Sequence, residues 1–218
     1  MFTSVNRKVY ILSGLGADER VFKKLDLVPL EPVYLKWIPP HKNESVESYA
    51  SRLLSQITEK NPVLIGLSFG GMMAIEIAKQ IETEKIILLS SAKTKYEIPW
   101  YYRFIGFLKI QRIFPIRYFK KVKFLTNWLF GITTHEEKVL LKTIIEETDH
   151  RYLLWSIEKI LTWKNTFVPK NVIHIHGTAD RVLPIRYIKC DYEIKGGGHF
   201  MTLNMPGDIS DIIKKYLL

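Results

Sequence analysis

The chain has 218 residues, enough for one sizeable core or a core with a small subdomain. An apolar fraction of 47% and a charged fraction of 25% exclude a disordered or fibrous chain. The net charge of +10 raises nucleic-acid binding, but no recognised binding module is present, and the single cysteine, Cys190, excludes an internal disulfide framework.

The opening MFTSVNRKVYILSG has too short an apolar run for a secretory leader. No run of roughly 18 uncharged apolar residues occurs, so no transmembrane helix is expected. Together these predict a cytoplasmic protein. VYILS (9–13) reads as a first strand and VYLKW (33–37) as a second. ESVESYASRLLSQI (44–57) places Val46, Tyr49, Ala50, Leu53, Leu54 and Ile57 at helical spacing. VLIGL (63–67) is continuously apolar, as a strand buried on both faces should be. MMAIEIAKQI (72–81) is helical, and KIILLS (85–90) is a strand. NVIHIHG (171–177) and YIKCDYEIKG (187–196) are strands, and ISDIIKKYLL (209–218) closes with a helix. Strands alternating with helices predict an α/β fold: a mostly parallel sheet of about six strands with helices on both faces.

Residues 92–168 break the alternation, because no strand pattern occurs there. THEE (134–137) is a capping-box signature opening a helix, and a second helix is expected from about His150 to Trp163. The segment upstream is basic and aromatic and reads as helical pieces broken at Pro115. The chain therefore divides into a core, 1–91 and 169–218, and an inserted helical lid, 92–168. From Lys93 to Val168 there are 14 Lys/Arg against 7 Asp/Glu, so +7 of the +10 belongs to the insertion. The simplest reading puts its aromatics in a subdomain core and its cations in water. Contact with an anionic membrane surface or an anionic substrate is the alternative.

Gly66-Leu67-Ser68-Phe69-Gly70, with Gly71 following, fits G-x-S-x-G at a strand-to-helix joint. A sharp turn there strains the serine backbone and crowds its neighbours, so only small residues fit. The hydroxyl then projects from the carboxyl edge of the sheet, beside the free N–H groups of the new helix. The bland alternative is a turn residue. A serine needs a base to become a nucleophile. His199 in KGGGHFM (195–201) follows the last strand, and Asp180 in HGTADRVLP (176–184) follows the one before. Asp180 also fits a plain turn, with Asp191 and Asp149 as rivals for its role. His174 and His176 alternate on one strand, a spacing compatible with zinc but more often structural. Cys190 reads as a buried core residue, and Asp18 and Arg20 as a cap or brace of the first helix.

With SGLGAD (13–18), GLSFGG, HGTADRVLP and GGGHF in this order, the chain resembles the α/β-hydrolase superfamily over nearly its whole length. The resemblance implies Ser68 as nucleophile, Asp180 as acid and His199 as base. It also implies an oxyanion hole from the backbone N–H groups of Leu15 and Phe69, with no cofactor and no metal. Two departures stand out. Ser13-Gly14 replaces the His-Gly common in the early loop, and the two antiparallel N-terminal strands common in the family are absent. A serine rather than a carboxylate at position 68 argues against the superfamily's dehalogenases. The expected activity is that of a carboxylesterase on a small-molecule ester with an apolar acyl group. The alternatives are a thioesterase or a C–C lyase of the same fold, in which Arg103, Arg112, Arg117 or Arg151 would hold an anionic substrate, and a non-catalytic binding module.

Overall fold

The computed structural model describes residues 7–109 and 123–218. Six strands form one sheet: β1 (Lys8–Leu12), β2 (Glu31–Tyr34), β3 (Val63–Leu67), β4 (Lys85–Leu89), β5 (Val172–Gly177) and β6 (Tyr192–Ile194). Their order is β2-β1-β3-β4-β5-β6, and every pairing is parallel. Alternate residues feed two buried faces. Val9, Ile11, Ile65, Leu67, Ile87 and Leu89 belong to one apolar cluster. Tyr10, Leu12, Leu64, Ile86 and Leu88 belong to the other. A strand covered on both sides needs no polar alternation, which explains the unbroken apolar runs.

Helices supply both covers. The second cluster takes Tyr49, Ala50 and Leu53 from α1 (Val46–Leu53), and Met72, Met73 and Ile75 from α2 (Phe69–Ala78). Between β4 and β5 lie, among the described residues, α3 (Trp100–Phe107), α4 (Lys123–Phe130), α5 (His135–Glu147) and α6 (His150–Thr162). The short α7 (Met201–Asn204) and α8 (Pro206–Leu217) end the chain, and Ile209, Ile213 and Leu217 of α8 pack on the first cluster. Among the described residues, no helix is long and apolar enough to cross a membrane.

Two strands differ from the sequence reading. β2 begins earlier and ends before Trp37. Glu31 and Leu35 donate their N–H groups to Arg7 and Ile11 of the neighbouring chain segment, so Pro32 faces outward on the sheet edge and removes no ladder bond. Beyond Tyr34 the backbone leaves the sheet, and both polar groups of Lys36 bond the Gln56 side chain. β6 is only Tyr192–Ile194, because the stretch before it turns at Ile185–Tyr187 and Lys189 N–H is held by Glu97 Oε1 at 3.2 Å.

The capping box of α5 is present: Thr134 Oγ1 accepts from Glu137 N–H, and Glu137 Oε2 accepts from Thr134 N–H, both at 3.2 Å. Among the described residues, the aromatics of the insertion differ in burial. Tyr152 and Trp155 of α6, with Trp163 just beyond it, are buried, whereas Trp100, Phe104 and Phe107 of α3 are exposed. The expected break at Pro115 lies outside the described residues.

Candidate active site

Ser68 sits between β3 and α2 with φ 53° and ψ −119°. This left-handed region is one a non-glycine residue enters at a cost of about 1–3 kcal/mol. Four bonds hold it there. Its N–H donates to Leu89 O at 2.9 Å, and its carbonyl accepts from Ser91 Oγ at 2.6 Å, Gly71 N–H at 3.0 Å and Met72 N–H at 3.3 Å. The three glycines are required by close approach. A Cβ on Gly66 would stand 2.5 Å from Gly71 Cα, one on Gly70 2.2 Å from Leu12 O, and one on Gly71 2.3 Å from Ser91 Oγ. Only the first contact is the crowding across the turn that the motif predicts. The other two press α2 against the ends of β1 and β4. Ser91 was not singled out in the sequence; its signal was the Ser-Ser pair directly after the KIILL strand.

His199 follows β6 on the glycine-rich loop and is buried. Its Nε2 lies 2.9 Å from Ser68 Oγ and its Nδ1 lies 2.8 Å from Asp180 Oδ2. Asp180 Oδ1 accepts the N–H groups of Val182 at 2.8 Å and Leu183 at 2.9 Å. Three side chains 112 and 19 residues apart in sequence thus form one continuous hydrogen-bonded row at the carboxyl edge of the sheet. An ionised carboxylate only accepts, so His199 Nδ1 carries the proton and, in the neutral ring, Nε2 accepts from the serine hydroxyl. The ring also packs on the inserted helices: the Phe130 ring centroid is 5.4 Å away, and Phe200 N–H bonds Phe130 O at 3.3 Å.

The early loop passes beside the serine, since a Cβ on Gly14 would meet Ser68 Cβ at 3.5 Å. Ser13 takes on the bracing that the departure from His-Gly left open. Its Oγ donates to Ala17 O at 2.6 Å and accepts from Trp37 Nε1 at 2.9 Å. Leu15 follows in this braced loop. Phe69 is the first residue of α2, where a backbone N–H has no intrahelical acceptor. Asp18 caps a short turn at Glu19–Phe22 and binds Arg20, as the sequence suggests.

No family model matches the chain, and no curated protein matches it in sequence. Solved structures do resemble it. A bromoperoxidase from Bacillus anthracis superposes with a TM-score of 0.71 at 14% identity, covering 98% of this chain and 92% of its own. A thermophilic esterase from Thermogutta terrifontis gives 0.68 at 17% identity, with 97% and 89% covered. A Bacillus megaterium epoxide hydrolase gives 0.69 at 12% identity, with 97% and 93% covered. The chain has the α/β-hydrolase fold.

Within this α/β-hydrolase fold, electrostatics favour an ionised acid. Burial pushes the Asp180 carboxyl up, but the neighbouring His199 and His176 and the backbone donor at Leu183 more than reverse this, leaving it below the usual carboxylate value. The rival carboxylates are engaged elsewhere. Asp149 caps α6 through Tyr152 N–H at 2.8 Å, and Asp191 accepts His174 N–H at 2.8 Å. Arg103 and Arg151 are exposed, and Arg112 and Arg117 lie outside the described residues. Cys190 is only half-buried, a correction to the core reading: it stands at the margin of the second cluster, near the sheet's edge strand β6. His176, which the sequence reading weighed only against zinc, lies against the acid, its Nε2 3.4 Å from Asp180 Oδ2.

Proposed function

We propose that the chain is a serine hydrolase that cleaves a carboxylic ester with a small or medium apolar acyl group. The observation that carries this reading is the His199 ring bonded to Ser68 on one nitrogen and to Asp180 on the other. The pair supplies what an aliphatic hydroxyl lacks, a base in contact with its proton.

In the proposed reaction Ser68 Oγ attacks the ester carbonyl carbon as its proton passes to His199 Nε2. Asp180 faces the imidazolium so formed and stays ionised. The carbonyl oxygen becomes an oxyanion held by the N–H groups of Phe69 and Leu15, each worth about 3–4 kcal/mol in comparable sites. Collapse of the tetrahedral adduct breaks the bond to the alcohol oxygen, which leaves with the proton from His199 Nε2. Water then attacks the acyl-enzyme, gives a proton to His199 and releases the acid, restoring the Ser68 hydroxyl. An apolar acyl group suits the aromatic-rich insertion that would roof Ser68 in this reading. The helices of residues 92–168 act as the lid in this reading, with Phe130 against His199 as their point of contact with the reacting groups.

The test is turnover of p-nitrophenyl esters of rising chain length. Hydrolysis that peaks at a short or medium chain and is lost in Ser68→Ala supports the reading. Equal turnover by that variant, or none by the folded wild type on any chain length, overturns it.

A further inference from the structure

The proposed triad leaves two buried histidines unused, and they lie behind Asp180 in the core. His176 and His174 share one face of β5, and both are fully buried. His176 Nε2 lies 2.8 Å from Leu183 O and 3.4 Å from Asp180 Oδ2. Both neighbours are acceptors, so Nε2 must carry a proton. On the other side of the ring, Nδ1 lies 3.3 Å from His174 Nε2. A neutral His176 has a lone pair at Nδ1, so His174 Nε2 must be the donor between them. His174 Nδ1 is then a bare lone pair, and it makes no hydrogen bond among the described residues. The carbonyl of Leu183 thus sets both tautomers.

The arrangement disfavours a charge on either ring. Protonating His176 would aim its new Nδ1–H at the His174 N–H. Protonating His174 would put an N–H at Nδ1, which makes no hydrogen bond among the described residues, and the nearby backbone at Lys189 and Ser91 does not make up for burial. Burial pushes both histidines below the ordinary value; at His174, His176 and Lys93 lower it further and the backbone at Lys189 and Ser91 only partly opposes this, and at His176, Asp180 and the Leu183 bond only partly offset burial. The other charged or titratable neighbours are His199, whose effect on His176 is to lower it, and Asp191, whose carboxylate bonds the His174 backbone rather than its ring.

We propose that His176 is a positioning residue for Asp180: a neutral imidazole, locked by Leu183 and His174, whose Nε2–H edge packs against the carboxylate oxygen that His199 also uses and limits its movement. The inference rests on the serine-hydrolase reading for its kinetic consequence but not for its structural one. Asp180 Oδ1 is held by two backbone N–H groups and Oδ2 by His199, while His176 Nε2 stands 3.4 Å from Oδ2 on its other side, its hydrogen bond going to Leu183 O. A carboxylate held at both oxygens cannot rotate, so the base keeps its tautomer and its aim at Ser68.

The test combines nitrogen NMR with kinetics. In the wild type, the ring-nitrogen shifts of His174 and His176 should report Nε2–H tautomers that persist to pH values where a free imidazole is charged. An Nδ1–H tautomer or a charged ring at His176 overturns the proposal, and this measurement needs no variant to fold. His176→Phe should lower kcat on p-nitrophenyl acetate about tenfold, with KM changed less than twofold. It should also shift or broaden the low-field Nδ1–H resonance of His199. His176→Gln, which returns an N–H near Nε2, should recover most of both. Unchanged kcat and resonance in His176→Phe, or a loss that Gln does not recover, overturns it. If the wild type turns over no ester, the hydrolase reading fails, while the tautomers and the His199 resonance still decide the role of His176.

Discussion

The carboxyl edge of the sheet and the inserted helices are held by different means. At the edge, hydrogen bonds over-determine the geometry: Ser68 is strained, yet its N–H and carbonyl take four bonds, and Asp180 is gripped at both oxygens. In the described part of the insertion, burial is uneven. Trp155 of α6 is 9% exposed and packs against Tyr49 at 4.3 Å, while Phe107 of α3 is 79% exposed. Close backbone approach at the edge leaves no room for added atoms, whereas exposed side chains of the insertion have room to change.

The largest expected effect belongs to the edge. Ser68→Ala or His199→Ala should lower ester turnover by about 10⁴-fold or more, read from kcat, with thermal unfolding unchanged within a few degrees. Gly70→Ala comes next. Its Cβ would stand 2.2 Å from Leu12 O and 2.3 Å from Ser13 O, both backbone atoms that cannot step aside. Urea unfolding should show a loss of about 3 kcal/mol or more, or no folded protein. A near-neutral Gly70→Ala would break the view that the edge is rigid.

Within the insertion, two substitutions sharpen the contrast. Trp155→Ala should cost about 3–5 kcal/mol, since it empties a buried aromatic site and removes the indole N–H bonded to Glu44 O at 3.0 Å. Phe107→Ser should stay within about 0.5 kcal/mol. Equal costs would mean that α3 is packed as firmly as α6.

A smaller effect is set by pH. An unfolded histidine binds its proton near pH 6.5. Folded His174 and His176 resist theirs until lower pH, because burial lowers both. Below 6.5 the unfolded chain therefore binds more protons, and stability falls as pH drops toward the lowered values. His174→Gln should flatten the slope of unfolding free energy between about pH 6.5 and 5. Asp180 adds a second loss only below about pH 4, because its lowered value lies beneath that of a free carboxyl.

The same division explains what the sequence made legible. Buried strands and their neighbouring helices were readable because period and run length follow from burial on two faces. The elbow was readable because three glycines beside a serine have few other uses. Ser91 was missed because its partner Ser68 is 23 residues away and only the sheet brings the pair together, and the contact of His176 with Asp180 was not legible because the histidine pair was weighed only for metal spacing. The ends of β2 and β6 were misread because Gln56 and Glu97, distant side chains, capture the backbone that would have extended them. Which aromatics of the insertion face water was likewise hidden, since composition is the same on both sides of the divide.

The central claim is that His199 makes Ser68 a nucleophile. Mass spectrometry of the chain after exposure to a fluorophosphonate addresses it directly. The wild type should carry one adduct, on the Ser68 peptide, and folded His199→Ala none. An adduct formed equally fast in His199→Ala, or no adduct on folded wild type, would contradict it.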